Sequence, residues 1–258
     1  MWENELRVAI RAVLLAKDEI MKIYAKPFDV EIKEDNSPVT LADKKADELI
    51  RQVISAAYPT HAFLTEESSD DKSRLENDYV WIVDPVDGTK DFVAKNNEFT
   101  TNVALAYKHE VVVGVVLVPA SGELYYATKG NGSIYQKKNH IKKIHVNSKT
   151  KGLTVLTSRF HVNEAELATI EKHRDKIKRR KTFGSAIKPC RIARGLAEIS
   201  YRLSSGTKEW DTAASQIIVE EAGGIFVKPN GERILYNRED VYNREGYVVA
   251  NRIENILL

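Results

Sequence analysis

The 258-residue chain contains one cysteine, Cys190, and two methionines. A single thiol excludes an intramolecular disulfide, and no Cys/His cluster has zinc spacing, so neither a disulfide framework nor a structural zinc site is available. Charge of one sign is not in excess either. There are 39 Lys and Arg against 37 Asp and Glu, and the net +2 gives no global case for nucleic-acid or membrane binding. Long apolar runs are also missing. The opening segment MWENELRVAIRAVLLAKDEI is charged throughout, and its longest apolar run, AVLLA, suits neither a signal peptide nor a membrane span. No internal repeat or low-complexity tract is visible. The 43% hydrophobic and 29% charged residues are ordinary for a globular chain. A reducing cytoplasm is the expected location, with the chain either free or peripheral to the inner membrane.

The residues present alternate between helical and strand patterns. Leu6, Ile10, Val13, Ala16, Ile20 and Ile23 recur at helical period, which predicts an amphipathic first helix. A short strand and a polar loop with Pro38 follow, then a helix over residues 41–58 with Thr40 as N-cap and Asp43 at its third position. HAFLTEES reads as a short strand ending on Glu66 and Glu67, and YVWIV (residues 79–83) as a strand buried on both faces. Tightly spaced strands TNVALAY, VVVGVVLVP, SGELYYAT and GSIYQ predict antiparallel hairpins. A junction near residues 143–150 divides an expected N-terminal unit, 1–147, from a C-terminal unit, 148–258. The second unit is expected to hold strand LTVLTS, a helix over 163–175, a short strand near Thr182, and a helix over 187–195. Strand AEISYRL, a helix over 211–222 and a closing YVVAN strand complete it. The absence of steady βαβ alternation predicts an α+β fold in layers.

The chemistry-bearing string is WIVDPVDGTKDF. Asp84, at the buried end of a strand, is costly without a partner. Pro85 stiffens the turn and Gly88 permits an unusual backbone angle, so Asp84 and Asp87 could face one point. Asp43, Glu66 and Asp211 are further carboxylates where strands or loops meet helices, and such hard oxygen ligands suit Mg²⁺. A second ion roughly 3.5–4 Å away would let one activate a water and the other stabilise a leaving oxygen, with the Thr89 hydroxyl orienting that water. Taken singly, Asp43 completes a capping box equally well, Asp211 suits a helix first turn, and Glu66 a solvated loop.

Together, FLTEES, WIVDPVDGT and EWDTAASQIIVEEAGG resemble, in order and spacing, the inositol monophosphatase superfamily of Mg²⁺-dependent, lithium-sensitive phosphatases. The resemblance covers essentially the whole chain. It implies a layered αβαβα sandwich holding two or three Mg²⁺ ions. By motif position, Glu66, Asp84, the Val86 carbonyl, Asp87 and Asp211 become metal ligands, while Asp43 and Thr89 resemble the water-activating pair. Val86 replaces a more usual Ile or Leu, and Ser215 stands where the family often has Gly. Lys90 and Asp91 in DGTKDF resemble the 3′(2′),5′-bisphosphate nucleotidase branch, as do EFTTNVALAY, TSRFH and GSAIK. This implies a nucleotide site lined by Ser158, His161, Gly184, Ser185 and Lys188, with Gly88, Thr89 and Asp211 shared with the phosphate. Arg202 is the candidate for the second phosphate, since two phosphates call for cationic donors.

The expected activity is removal of the 3′- (or 2′-) phosphate of adenosine 3′,5′-bisphosphate, by a monomer or homodimer. The rivals are another ester (inositol-1-phosphate, a sugar bisphosphate or NADP) and an inactive nucleotide- or RNA-binding protein on the same fold. The run KHRDKIKRRK, residues 172–181, has seven Lys or Arg in ten. Without an aromatic for base stacking it reads as a solvated helix end and loop, so no nucleic-acid partner is expected.

Overall fold

The computed structural model describes residues 1–32 and 38–258. Helices α1 (Glu3–Tyr24) and α2 (Leu41–Ala57) form the outermost layer. Their inward stripes are small or β-branched: Ala9, Ala12, Val13, Ala16 and Ile20 on α1, and Ala46, Ile50 and Ile54 on α2. Both stripes pack on Trp81, Val83, Val103, Leu105 and Val115 of a seven-stranded sheet. A small antiparallel pair, β1 (Val30–Ile32) and β2 (Pro38–Thr40), leads into α2. The polar loop expected over 33–37 lies outside the described residues.

The large sheet runs in chain order: β3 (Ala62–Thr65), β4 (Tyr79–Asp87), β5 (Thr100–Tyr107), β6 (Glu110–Val118), β7 (Glu123–Thr128), β8 (Gly132–Lys137) and β9 (His140–Ile144). Only β3–β4 is parallel, and the rest are antiparallel neighbours. Both faces of β4 are covered, which explains its unbroken apolar run: Trp81 and Val83 face α1 and α2, while Val80 and Ile82 face the middle of the molecule. After β4 comes a one-turn helix, α3 (Thr89–Val93).

The second sheet has the order β11 (Ile177–Phe183), β10 (Leu153–Ser158), β12 (Ile199–Arg202), β14 (Tyr247–Ala250), β13 (Ile225–Val227). Between the sheets lie α5 (Ile187–Ala193) and α6 (Glu209–Glu221). Helix α6 is buried on nearly every side, and its Ala213, Ala214, Ile217 and Ile218 share one core with Ala104 and Val116 of the first sheet and Phe226 and Val249 of the second. The far face of the second sheet packs Val155, Ile199 and Val248 against Ile170 of α4 (Glu164–Lys172). The layers are therefore helix, sheet, helix, sheet, helix, as expected.

Gly114 on β6 sets the depth at which α6 seats. A Cβ there would lie 2.4 Å from Ile217 Cγ2 and 2.5 Å from the Ala214 carbonyl oxygen. Ser215, in the same helix, is buried with its hydroxyl donating to the Thr212 carbonyl at 3.1 Å.

Three expectations need correction. Helix α6 begins at Glu209, two residues before Asp211. Strand β9 is an additional element in the residues before the expected junction. Helix α4 stops at Lys172, and the basic run continues into β11, which pairs in parallel with β10 along the open edge of the sheet. Lys178, Arg179, Arg180 and Lys181 are all exposed there. Pairing with β10 satisfies one side of that backbone, and a row of cations on the other discourages addition of a further strand.

Candidate active site

The two aspartates of DPVDG converge because of an irregularity in β4. Asp84 lies opposite Asn102 and Asp87 opposite Thr100, so three steps on β4 match two on β5. In a regular strand, residues three apart point to opposite faces. The extra residue returns Asp87 to the face of Asp84. Gly88 follows at φ 90, the left-handed region, and caps α3.

Asp211, in the first turn of α6, completes the group: one carboxylate oxygen each from Asp84, Asp87 and Asp211 lie within 4.8 Å of one another. Glu66 enters from the end of β3, its N–H donating to the Val83 carbonyl at 3.2 Å, and lines the same cleft. Val86 buries its side chain in the core, and its carbonyl accepts a bond from the Thr89 hydroxyl at 3.2 Å. The Thr89 oxygen is also 3.2 Å from Asp43 Oδ1. Asp43 Oδ2 accepts from the Thr40 N–H at 2.8 Å and the Thr40 hydroxyl at 2.6 Å. Asp43 thus caps α2 and reaches Thr89 at once, so the structural and the chemical readings of this residue hold together. Asp211 is likewise both: its Oδ2 accepts from the Lys208 N–H at 2.5 Å at the start of α6.

The charge state of this cluster reflects crowding. Burial raises the Asp84 carboxyl well above its ordinary value, and Glu66, Asp87 and Asp211 raise it further. Burial first, then Asp87, pushes Asp211 up to about 8. Asp87 is raised by burial against the opposing pull of Lys188. Asp43 is also raised, again by burial first. Carboxylates held this close resist ionising together unless a cation joins them. Their all-oxygen donor set fits a hard divalent ion.

These groups form one wall of a cleft of about 400 Å³. Ser158, His161, Ser185, Lys188 and Arg202 line the same cleft. Asp43 and Val86 lie just behind the first wall, reached through Thr89. Gly184 also stands behind the lining: its N–H donates to Glu98 Oε2 at 2.9 Å. Ala186 N–H donates to Asp87 Oδ2 at 2.7 Å, tying the GSAIK segment to the carboxylate cluster. Lys188 is buried and donates to the Ser185 carbonyl at 2.8 Å, and burial lowers its basicity while Asp87 opposes that. An Arg202 guanidinium nitrogen donates to the His161 carbonyl. His161 lines the cleft at an exposed position, its imidazole partly desolvated. Burial of the ring and then Arg202, Lys90 and Lys188 hold the imidazole below its ordinary value, hence neutral at pH 7. Lys208 and Tyr247 also line the cleft and escaped the sequence reading. Lys208 had a usable signal, three residues before Asp211 at a helix start. Tyr247, in β14, had none.

The Inositol monophosphatase family profile matches residues 1–257, and the chain belongs to that family; it is an enzyme of the phosphatase class. Among its relatives, the 3′(2′),5′-bisphosphate nucleotidase CysQ of Buchnera aphidicola is 37% identical over 242 residues, covering 92% of this chain and 89% of its own. The Nus factor SuhB of Pasteurella multocida is 33% identical over 234 residues, 88% of this chain and 85% of its own. In solved structures, CysQ from Bacteroides thetaiotaomicron, a bacterial member of the inositol monophosphatase family, superposes with a TM-score of 0.85 at 32% identity, over 98% of this chain and 99% of that one.

Proposed function

We propose that the chain is a Mg²⁺-dependent, Li⁺-sensitive phosphatase that removes the 3′- (or 2′-) phosphate of adenosine 3′,5′-bisphosphate, giving AMP and phosphate. The observation that carries the reading is a single cleft lined both by the clustered carboxylates with Thr89 and by His161, Lys188 and Arg202. A substrate with one phosphate at the reacting centre and a second, anionic handle fits such a cleft. The names of the CysQ relatives support the same substrate class.

In this reading Glu66, Asp84, the Val86 carbonyl, Asp87 and Asp211 hold Mg²⁺. The bound cation would supply Lewis-acid polarisation of the phosphoryl oxygens and a more acidic water. Thr89 and Asp43 form a short relay: with its proton turned to Asp43 Oδ1, the hydroxyl oxygen orients the attacking water and takes its proton as its own passes to Asp43. Lys188 and Arg202 oppose the charge of the second phosphate. Ser158, Ser185 and the neutral His161 ring offer hydrogen bonds to the nucleoside.

The test is phosphate release from adenosine 3′,5′-bisphosphate and inositol-1-phosphate side by side, with Mg²⁺ and with Mg²⁺ plus Li⁺. Faster, lithium-sensitive release from the nucleotide is expected. Preference for the inositol ester would overturn the nucleotide side of the cleft while leaving the metal site intact.

A further inference from the structure

Glu98 lies outside the cleft lining, in the connection between α3 and β5, yet two segments that build the cleft, Gly184–Ser185 and the one holding Arg159, meet on it. Its Oε2 accepts from the Gly184 N–H at 2.9 Å and from Arg159 Nη2 at 2.6 Å. Its backbone carbonyl accepts from the Ser185 hydroxyl at 3.0 Å. Arg159 also faces Asp91, Nε to Oδ1 at 3.5 Å. Asp91 is itself buried and held by the Asn96 side-chain amide at 2.5 Å. Gly184 fits against this group only because it lacks a side chain. A Cβ there would lie 2.3 Å from the Glu98 carbonyl oxygen and 2.7 Å from Asp91 Oδ2.

The turn that follows is strained. Ser185 adopts φ 45, the left-handed region that non-glycine residues seldom occupy. Such a conformation persists only where its surroundings over-determine it. Here three bonds do so: Gly184 N–H to the Glu98 side chain, Ser185 hydroxyl to the Glu98 carbonyl, and Ala186 N–H to Asp87. Lys188 Nζ in turn rests on the Ser185 carbonyl, so its position depends on the same turn. Arg159 lies between Ser158 and the stretch leading to His161, both of which line the cleft.

We infer that Glu98 is a positioning residue: with Asp91 it clamps the Gly184–Ser185 turn and Arg159 to the metal-side motif, fixing Ser158, His161, Ser185 and Lys188 for the nucleotide. The functional half of this inference rests on the nucleotidase reading above. An exposed carboxylate–guanidinium pair would contribute little by itself. The bonds to the strained turn set Glu98 apart, because they hold groups that face the cleft.

Two readouts test the clamp in the full-length protein. In Glu98→Ala, KM for adenosine 3′,5′-bisphosphate should rise about tenfold or more while kcat stays within about threefold. Amide hydrogen exchange over residues 183–186 should accelerate about tenfold or more, with α1, α2 and β4 unchanged. Glu98→Gln keeps an oxygen for the Gly184 N–H and should restore KM to within about threefold of wild type. Arg159→Met, at a partly exposed position, should raise KM by a smaller factor and stands in if Glu98→Ala does not fold. Unchanged exchange over 183–186 overturns the clamp whatever the substrate. Loosened exchange with unchanged KM overturns its role in binding, and so does a fall in kcat at constant KM. A wild-type enzyme that prefers inositol-1-phosphate overturns the nucleotidase reading instead, and the exchange measurement still decides the clamp.

Discussion

Replacing Asp211 with asparagine should make the metal-free protein more stable and the enzyme less active. In the unfolded chain this carboxyl ionises at about its ordinary 3.8; in the fold, burial and Asp87 hold the proton on up to about 8. Between those values the folded state binds more protons than the unfolded state, so stability falls as pH rises. The slope approaches about 1.36 kcal/mol per pH unit for one proton, and raising pH from about 5 to 7 therefore costs the chelated wild type on the order of 3 kcal/mol through Asp211. The amide of the variant would carry no such dependence, and its side-chain oxygen can still accept the Lys208 N–H. Asp84 and Asp87 are common to both proteins. In thermal melts with excess chelator, the advantage of Asp211→Asn over wild type should grow by roughly 5–10 °C between pH 5 and pH 7 for a chain of this size. With Mg²⁺ restored, the wild type should gain stability that the variant does not, and the variant's phosphate release should be lower by roughly tenfold or more. A melting difference in chelator that does not change with pH would refute the reasoning, because Asp211 would then ionise alike in both states.

Thr89→Val removes the hydroxyl held between Asp43 and the Val86 carbonyl. It should lower kcat by on the order of 10²-fold with KM little changed, and steady-state kinetics giving kcat within about threefold of wild type would remove Thr89 from the proposed relay. Gly114→Ala places a methyl 2.4 Å from Ile217 Cγ2 and 2.5 Å from the Ala214 carbonyl oxygen, the latter backbone that cannot swing aside. It should destabilise the protein by about 1–3 kcal/mol in denaturant titration, and an unchanged midpoint would show that α6 seats with slack.

Much of this protein is written locally. The apolar run at 79–83 requires burial on both faces, and β4 has it. Thr40 and Asp43 are the right residues at the right spacing for a capping box, and that box forms. The ingredients of the carboxylate site were legible for the same reason: a costly Asp at a strand end, a Pro and a Gly that bend the chain, and a Thr directly after. Tertiary structure decided where those pieces meet. Glu66 reaches Asp84 because β3 and β4 pair in parallel, and Asp211 reaches them because a glycine on β6 lets α6 seat between the sheets. The basic run became a strand because β10 offered an open edge, a partner that no short window of sequence can reveal. Tyr247 carried no local signal, and Glu98, although it opens the EFTTNVALAY stretch, gave no sign of its partners, since an aromatic in a strand and an acid in a loop have many uses. Their surroundings depend on pairings between residues far apart along the chain, and such contacts form only when the chain has folded.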